Sequence, residues 1–321
     1  MPDTLNLSNR LNWLVIGVGD ITTKRVIPAI LAEPRSGLYG ILTRNPAKAE
    51  PYRPYGTKVF SALEAALADN GIDAVYVASP VFLHASQTMQ SLAAAKHVLC
   101  EKPMAIKHDE AIAMVAAARI AGRTLGVAYY RRTYPKVNRA RQLLAQGAIG
   151  RPVLVYSSCH SWFNAEDGKR SWLLQPDLAG GGPLYDIGSH RLDLLNYFFG
   201  QPQRATGQLS NAVHHPGVED NATVLVEYAC GVRGIVDVRW HSRVIRDEFR
   251  IMGTDGEMDL TPLNGPDLKY PGGHEQLPAH TNLHYPCVEN FVAAVLDDAP
   301  LLSSGASAAW TDWVTQEVMC L

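Results

Sequence analysis

Two short stretches of this 321-residue chain carry residue types that could do chemistry. The first is Glu101-Lys102-Pro103, which follows the apolar run Val98-Leu99-Cys100. Pro103 cannot donate to a sheet ladder, so a strand through that run must end near Lys102. A lysine at the carboxyl end of a strand sits where open α/β sheets place their ligands, and its ammonium could stabilise charge on a reacting oxygen. Taken alone, the tripeptide reads first as a solvated Lys-Pro turn. The second stretch runs Gly180-Gly181-Gly182-Pro183-Leu184-Tyr185-Asp186-Ile187-Gly188-Ser189-His190-Arg191-Leu192-Asp193. Its apolar spacing predicts a helix starting near Leu184, with Asp186 and His190 four residues apart on one face. A carboxylate beside an imidazole raises the imidazole pKa and fixes its tautomer, as a general acid/base requires. Asp193, three residues further, could hold the second ring nitrogen. The plainer alternative has Asp186 favouring the helix N-terminus electrostatically, with His190 a satisfied interface histidine.

These groups need a scaffold, and the first 128 residues spell one out. The apolar run Trp13-Leu14-Val15-Ile16 ends in Gly17-Val18-Gly19-Asp20-Ile21-Thr22, and Thr23 to Glu33 reads as a helix despite Pro28. Gly17 permits the tight turn and Gly19 lets the backbone approach a pyrophosphate, the opening unit of a dinucleotide fold, although Thr22 replaces the third glycine. Further strands are predicted at Leu38 to Thr43, Val59-Phe60, Asp73 to Ala78, His97 to Cys100 and Thr124 to Ala128. Helices fall between them at Ser61 to Asp69, Leu83 to Ala95 and Lys107 to Ala121. Apolar strands alternating with helices predict an α/β protein with a doubly wound parallel sheet of six strands. At the end of the second strand an acidic residue would bind the ribose hydroxyls of NAD, but the chain has Thr43-Arg44 there. A hydroxyl and a guanidinium suit a 2′-phosphate, so NADP is favoured over NAD.

Beyond residue 128 the pattern changes. A helix at Lys136 to Gln146 precedes strand-like segments at Val153 to Cys159, Ala205 to Ser210, Thr223 to Tyr228, Gly234 to Trp240, Glu248 to Met252 and Glu257 to Leu260. Strands joined by turns such as Cys230-Gly231 and Thr254-Asp255-Gly256 predict a large, mostly antiparallel sheet in a C-terminal α+β domain. The Pro/Gly-rich Pro262 to Pro278 reads as a loop, and Tyr285 to Leu296 and Ser307 to Met319 as closing helices. Domains of 1–128 and 129–321 follow.

Hydrophobic residues at 47%, charged residues at 19% and a net charge of −2 describe an ordinary globular chain with no basic field for nucleic acid. Met1 to Asn12 is polar and lacks the order of a signal peptide, and no stretch approaches the roughly 20 apolar residues of a membrane span. Five cysteines scattered singly fit reduced thiols in the cytoplasm. His280-x-x-x-His284 with nearby His274 has metal-like spacing but no obvious further ligands, so no metal is expected. No Gly-x-Ser-x-Gly elbow or supported cysteine nucleophile is present.

Taken in order, the glycine turn, Glu101-Lys102-Pro103 and Gly-Gly-Gly-x-Leu-x-Asp-x-Gly-x-His-x-x-Asp resemble the Gfo/Idh/MocA family. The resemblance covers nearly the whole chain. It includes Ala78-Ser79-Pro80 with His84, Gly217-Val218-Glu219-Asp220, Gly253-Thr254-Asp255-Gly256 and Glu289-Asn290-Phe291. It implies an N-terminal NAD(P)-binding Rossmann domain and a C-terminal domain whose open sheet serves oligomerisation, as a homodimer or homotetramer. The implied activity is hydride transfer between nicotinamide and a sugar, polyol or related carbonyl compound. Lys102 matches the family lysine that contacts nicotinamide and the reacting oxygen, Asp186 and His190 match its acid/base pair, and Ser79, Pro80 and His84 match its cofactor-lining loop. Gly17, Gly19, Asp20, Ile21, Thr43, Arg44 and Glu101 complete the expected cofactor set. Tyr130, His160, Trp162, Arg170 and Trp172 are candidate substrate contacts, because aromatic rings and a guanidinium suit sugar faces and hydroxyls. The chain departs from the family pattern at Val81 and Tyr130, where asparagine is frequent, and at Trp172-Leu173, where Trp-Arg is frequent. Two rival readings are an NAD-dependent glycosidase using transient oxidation and a non-catalytic NAD(P)-binding sensor. A sensor has no need of both Lys102 and His190.

Overall fold

A strand covered on both faces must be apolar along its length, and β1 (Leu11–Ile16) meets that condition with only Asn12 partly exposed. The computed structural model describes residues 9–164, 168, 170–214 and 217–320; residues 1–8 of the polar stretch Met1 to Asn12 lie outside the described residues. Five more strands follow, β2 (Ser36–Leu42), β3 (Lys58–Phe60), β4 (Ala74–Val77), β5 (His97–Cys100) and β6 (Leu125–Val127). All pair parallel in the order β3-β2-β1-β4-β5-β6, so the predicted doubly wound sheet is present with its order reversing between β1 and β4. Helices α1 (Ile27–Ala32), α2 (Leu63–Leu67), α3 (His84–Ala93) and α4 (His108–Ala121) connect the strands. The helix expected from Thr23 starts instead at Asp20 and passes through a π-helical turn, Thr22–Val26, in which the Ile27 N–H bonds the Thr22 carbonyl. Pro28 has no N–H to give to an i−4 carbonyl, and the wider turn ahead of it accommodates that loss.

The chain continues through α5 (Pro135–Ala145), β7 (Pro152–Trp162), α6 (Pro176–Ala179), a π-helical turn at Leu184–Gly188 and α7 (Ser189–Phe199). The strands β8 (Pro202–Ser210), β9 (Asn221–Tyr228), β10 (Arg233–Arg239), β11 (His241–Gly253), β12 (Glu257–Asp259), β13 (Asp267–Tyr270) and β14 (Gly273–Gln276) follow, before α8 (Tyr285–Leu296) and α9 (Gly305–Met319). Packing divides the described residues into two units. One holds the chain through Met104, Asp109–Tyr130 and His280–Gly305; the other holds Ala105–His108, Arg131–Ala279 and the chain from Ala306 onward.

In the first unit, α8 returns late in the chain to cover the parallel sheet. Cys287, Val288, Phe291 and Val292 recur at helical spacing and are buried in the cluster that contains Trp13 and Tyr76. The Phe291 ring lies 5.3 Å from Trp13, whose indole N–H donates to Ser36 Oγ at 3.1 Å. Burying such a ring contributes about 1.5–3 kcal/mol.

The second unit is built on an eight-stranded sheet in the order β14-β13-β12-β11-β7-β10-β9-β8, antiparallel except where β10 pairs parallel with β7. Along β9, Ala222, Val224, Val226 and Tyr228 are buried while Leu225 between them is half exposed. That alternation marks a sheet with one covered face and one open face. The stretch Pro262 to Pro278, expected as a loop, contains the β13–β14 hairpin turning at Gly272, with φ +84°. In β13 only Leu268 is buried, so an edge hairpin left almost no apolar alternation to read.

Candidate functional site

In the first unit, the carboxyl ends of the parallel strands gather most of the expected cofactor residues at one edge of the sheet. Gly17, directly after β1, has φ +90°, and a Cβ there would lie 2.7 Å from the Ala78 carbonyl oxygen at the end of β4. A Cβ on Gly19 would meet nothing within 4 Å. The turn is thus closed against the sheet and open at Gly19, which fits a pyrophosphate approaching the backbone. Asp20 and Ile21 begin the helix on the exposed side, and Asp20 pairs with Lys24 at 2.7 Å. After β2, Thr43 Oγ1 accepts the Asn45 N–H at 3.2 Å and Arg44 is exposed. A second cation joins this corner: Lys48 Nζ donates to the Val18 carbonyl at 3.3 Å. Lys48 lies in a 3-10 segment interrupted by Pro51 and Pro54, so no periodicity pointed to it.

After β4, Ser79 Oγ donates to Gln87 Oε1 at 2.7 Å and Pro80 is exposed. His84 is buried, with Nε2 2.8 Å from the Ser79 carbonyl and Nδ1 2.9 Å from the Pro103 carbonyl. It therefore ties the loop after β4 to the loop after β5. Two carbonyl neighbours would favour a doubly protonated ring, but burial prevails and holds the His84 pKa below its ordinary value.

Lys102 follows β5 as expected and is partly buried. Glu101 beside it points inward: Oε1 accepts from Tyr76 Oη at 2.7 Å and from His284 Nε2 at 3.1 Å, and Oε2 accepts the Lys102 N–H at 3.3 Å. Burial alone would raise the Glu101 pKa. The hydrogen bond and charge of His284, then Tyr76 and Lys102, outweigh burial and leave it lowered. Both Glu101 oxygens are thus engaged by protein groups. The Tyr130 ring lies 5.0 Å from the His284 ring. His280 stacks on Tyr285 at 4.7 Å and His274 pairs with Asp267 at 2.8 Å. Among the described residues no group of three or more His, Cys, Asp or Glu could hold a metal.

In the second unit, the π-helical turn and α7 carry Asp186 and His190, one turn apart, with His190 only 5% exposed. The glycines before them have a specific task. Glu219 accepts the Gly182 N–H at 2.8 Å on Oε2 and the Leu184 N–H at 3.0 Å on Oε1. A Cβ on Gly182 would collide with the Glu219 carbonyl oxygen. The buried carboxylate therefore satisfies donors that the start of a helix otherwise leaves open. Burial pushes the Glu219 pKa up against these donors. Asp186 Oδ2 accepts from Arg170 Nη2 at 2.5 Å, and the Arg170 guanidinium lies 5.6 Å from the Phe163 ring centroid. Phe163 stacks on Trp240 at 4.5 Å, in a cluster with Leu173 and Ile187, so Trp172, on the Ser171–Leu174 turn, neighbours this group. Asp193, considered as a partner for His190, has both oxygens on the Arg132 guanidinium, at 2.6 and 2.9 Å.

His160 and Trp162 do not join that group. His160 Nε2 lies 3.0 Å from Asp237 Oδ2, and Asp237 also accepts from Arg239 Nε at 3.1 Å and Thr223 Oγ1 at 3.0 Å. Val238, the next residue along β10, faces Gly188 of the π-helical turn, so Asp237 and His160 occupy the opposite, open face. Trp162 packs beside His214 at 4.7 Å and under Arg243 at 4.0 Å.

Comparison with known proteins agrees with this fold. The family model described as an oxidoreductase family with an NAD-binding Rossmann fold matches residues 11–129, and the GFO/IDH/MocA C-terminal domain matches residues 137–259. The chain belongs to the Gfo/Idh/MocA family and is an NAD(P)-dependent oxidoreductase. Among its relatives, 1,5-anhydro-D-fructose reductase of Ensifer adhaerens is 29% identical over 93% of this chain and 92% of its own length. The D-xylose 1-dehydrogenase (NADP(+)) 2 of Haloferax volcanii is 31% identical over 77% of this chain and 75% of its own. Among solved structures, the aldose-aldose oxidoreductase of Caulobacter crescentus superposes with a TM-score of 0.87 at 24% identity, covering 97% of each chain. That last likeness concerns the fold.

Proposed function

We propose that the chain catalyses reversible, NADP-linked oxidoreduction of a carbohydrate-type carbonyl or hydroxyl group. The observation that carries the reading is the position of Lys102, at the carboxyl end of β5 in a sheet whose β1 ends in an open glycine turn. The family relationship and relatives named as sugar reductases and dehydrogenases support the substrate class. The nicotinamide, when bound, supplies or accepts the hydride. Gly17, Gly19, Ser79 and Pro80 hold the cofactor in this reading, with Arg44 and Lys48 at its 2′-phosphate.

The chain's own groups handle charge and proton. As hydride reaches a carbonyl carbon, negative charge develops on its oxygen, and the Lys102 ammonium stabilises it. His190 delivers the proton to that oxygen, and takes it back in the oxidative direction. Asp186 orients the imidazole, while Arg170 Nη2, donating to Asp186 Oδ2, holds the carboxylate in place. Tyr130, Arg170 and Trp172 are assigned to the sugar; His160 and Trp162, on the open sheet face, are not. That open face is assigned to contacts between copies of the chain, as a homodimer or homotetramer, which light scattering on the purified protein measures directly. Five unbridged cysteines fit a reducing compartment such as the cytoplasm, and no helix among the described residues is long and apolar enough to cross a membrane.

The test mixes purified protein with NADPH or NADH and a panel of aldoses and ketoses, following absorbance of the reduced cofactor. Turnover of both cofactor and sugar is expected. Release of free sugar from a glycoside without net cofactor turnover would instead establish the glycosidase reading.

A further inference from the structure

The sequence singles out His284 only for metal-like spacing, and the reaction as described does not use it. In the structure His284 is 2% exposed and directly precedes α8, within the same unit as β5. Its Nε2 is 3.1 Å from Glu101 Oε1, the oxygen that also accepts from Tyr76 Oη. Because Glu101 is held in the carboxylate form, Nε2 must carry the proton for this contact to be a hydrogen bond. Nδ1 is buried without a hydrogen-bond partner among the described residues. A buried nitrogen left in that condition costs free energy that an apolar side chain would not, so packing alone does not account for a histidine here. The other oxygen of Glu101 accepts the backbone N–H of Lys102.

We propose that His284 is a positioning residue for Lys102, its Nε2–H holding the Glu101 carboxylate against the Lys102 amide at the end of β5. Without that donor, Tyr76 alone restrains Oε1, the carboxylate swings, and the lysine loses the backbone anchor that aims it. The proposal rests on the reading that Lys102 acts at the reacting oxygen. A misplacement of about 1 Å at such a group is sufficient for large losses of rate.

Glutamine places an amide N–H close to the position of His284 Nε2, whereas asparagine places its own near Nδ1 and cannot reach Glu101. His284→Gln is therefore expected to stay within about three-fold of wild type, and His284→Asn to lose kcat by about ten-fold with the cofactor KM within about two-fold. A second readout needs no substrate. After reductive ¹³C-methylation, the Lys102 signal, assigned by its loss in Lys102→Arg, should move in His284→Asn and stay in place in His284→Gln. A third needs no folded His284→Asn: ¹⁵N NMR of the wild type, with the ring assigned by loss of its signal in His284→Gln, should show His284 protonated at Nε2. Equal kinetics for the two variants, an unmoved lysine signal in a folded His284→Asn, or a ring protonated only at Nδ1 would each overturn the proposal. Full activity in Lys102→Met would instead remove the reading on which it rests, leaving the two NMR readouts to decide the coupling itself.

Discussion

A buried or partly buried charge persists only where donors or counter-charges surround it, and Asp237 shows how local that supply can be. Burial would raise its pKa, but hydrogen bonds from His160, Arg239 and Thr223 prevail and lower it from 3.8 to about 2. A carboxyl lowered in the folded state contributes stability that is fully present above its unfolded value and lost as pH falls through the folded one. Between pH 3.8 and about 2 the wild type should therefore lose roughly 1–2 kcal/mol that Asp237→Asn does not, a figure reduced for partial solvent screening. Urea unfolding of both proteins across that range checks it, and parallel curves would contradict it. Arg44 makes the second prediction at this scale. Arg44→Ala should weaken NADPH binding by about ten-fold or more while leaving NADH nearly unchanged, because only the former carries the phosphate that a guanidinium pairs. Fluorescence titration of each cofactor reads the difference. The places of Lys102, Gly17 and Arg44 after strands of the parallel sheet were legible in the sequence because their signals are local: a proline, a glycine turn, a residue at a strand end. His284 was not, since 183 residues separate it from Glu101 and only the fold joins them.

Among elements, the one that carries Asp186 and His190 depends on a partner from another part of the chain. The spacing correctly predicted a helix from Leu184, but it could not reveal that Glu219 seats its first turn. Glu219→Ala would leave the Gly182 and Leu184 amides without their acceptors, at a cost of about 1–3 kcal/mol each. The expected outcome is a lower melting temperature together with reduced kcat; loss of neither would show that the carboxylate is dispensable. Lys136 on α5 plays a similar part away from the chemistry. Its buried ammonium donates to the Leu260 and Pro262 carbonyls at 2.8 and 2.6 Å, and burial draws its pKa down to about 8. Lys136→Met should destabilise the protein by roughly 2–4 kcal/mol, measured by urea unfolding, with kcat unchanged in the surviving folded fraction. The β13–β14 hairpin was missed because its strands bury so little that no pattern marked them.

The molecule as a whole divides its labour between two units whose chain segments interleave. The parallel sheet was legible because strands covered on both faces are apolar runs, as β1, β2, β4, β5 and β6 are, while the short edge strand β3 carries only Val59 and Phe60. Its completion was less so, since α8 follows the second sheet in sequence yet packs Phe291 against Trp13 of the first strand. Lys102 belongs to one unit and His190 to the other. The most direct measurement is single-turnover hydride transfer by Lys102→Met with NADPH and a sugar that the wild type reduces. Loss of the ammonium should slow the step by about 10²–10³-fold while NADPH still binds, as removal of one preorganised donor to a developing oxyanion does. A Lys102→Met enzyme that transfers hydride within a few-fold of wild type would contradict the account.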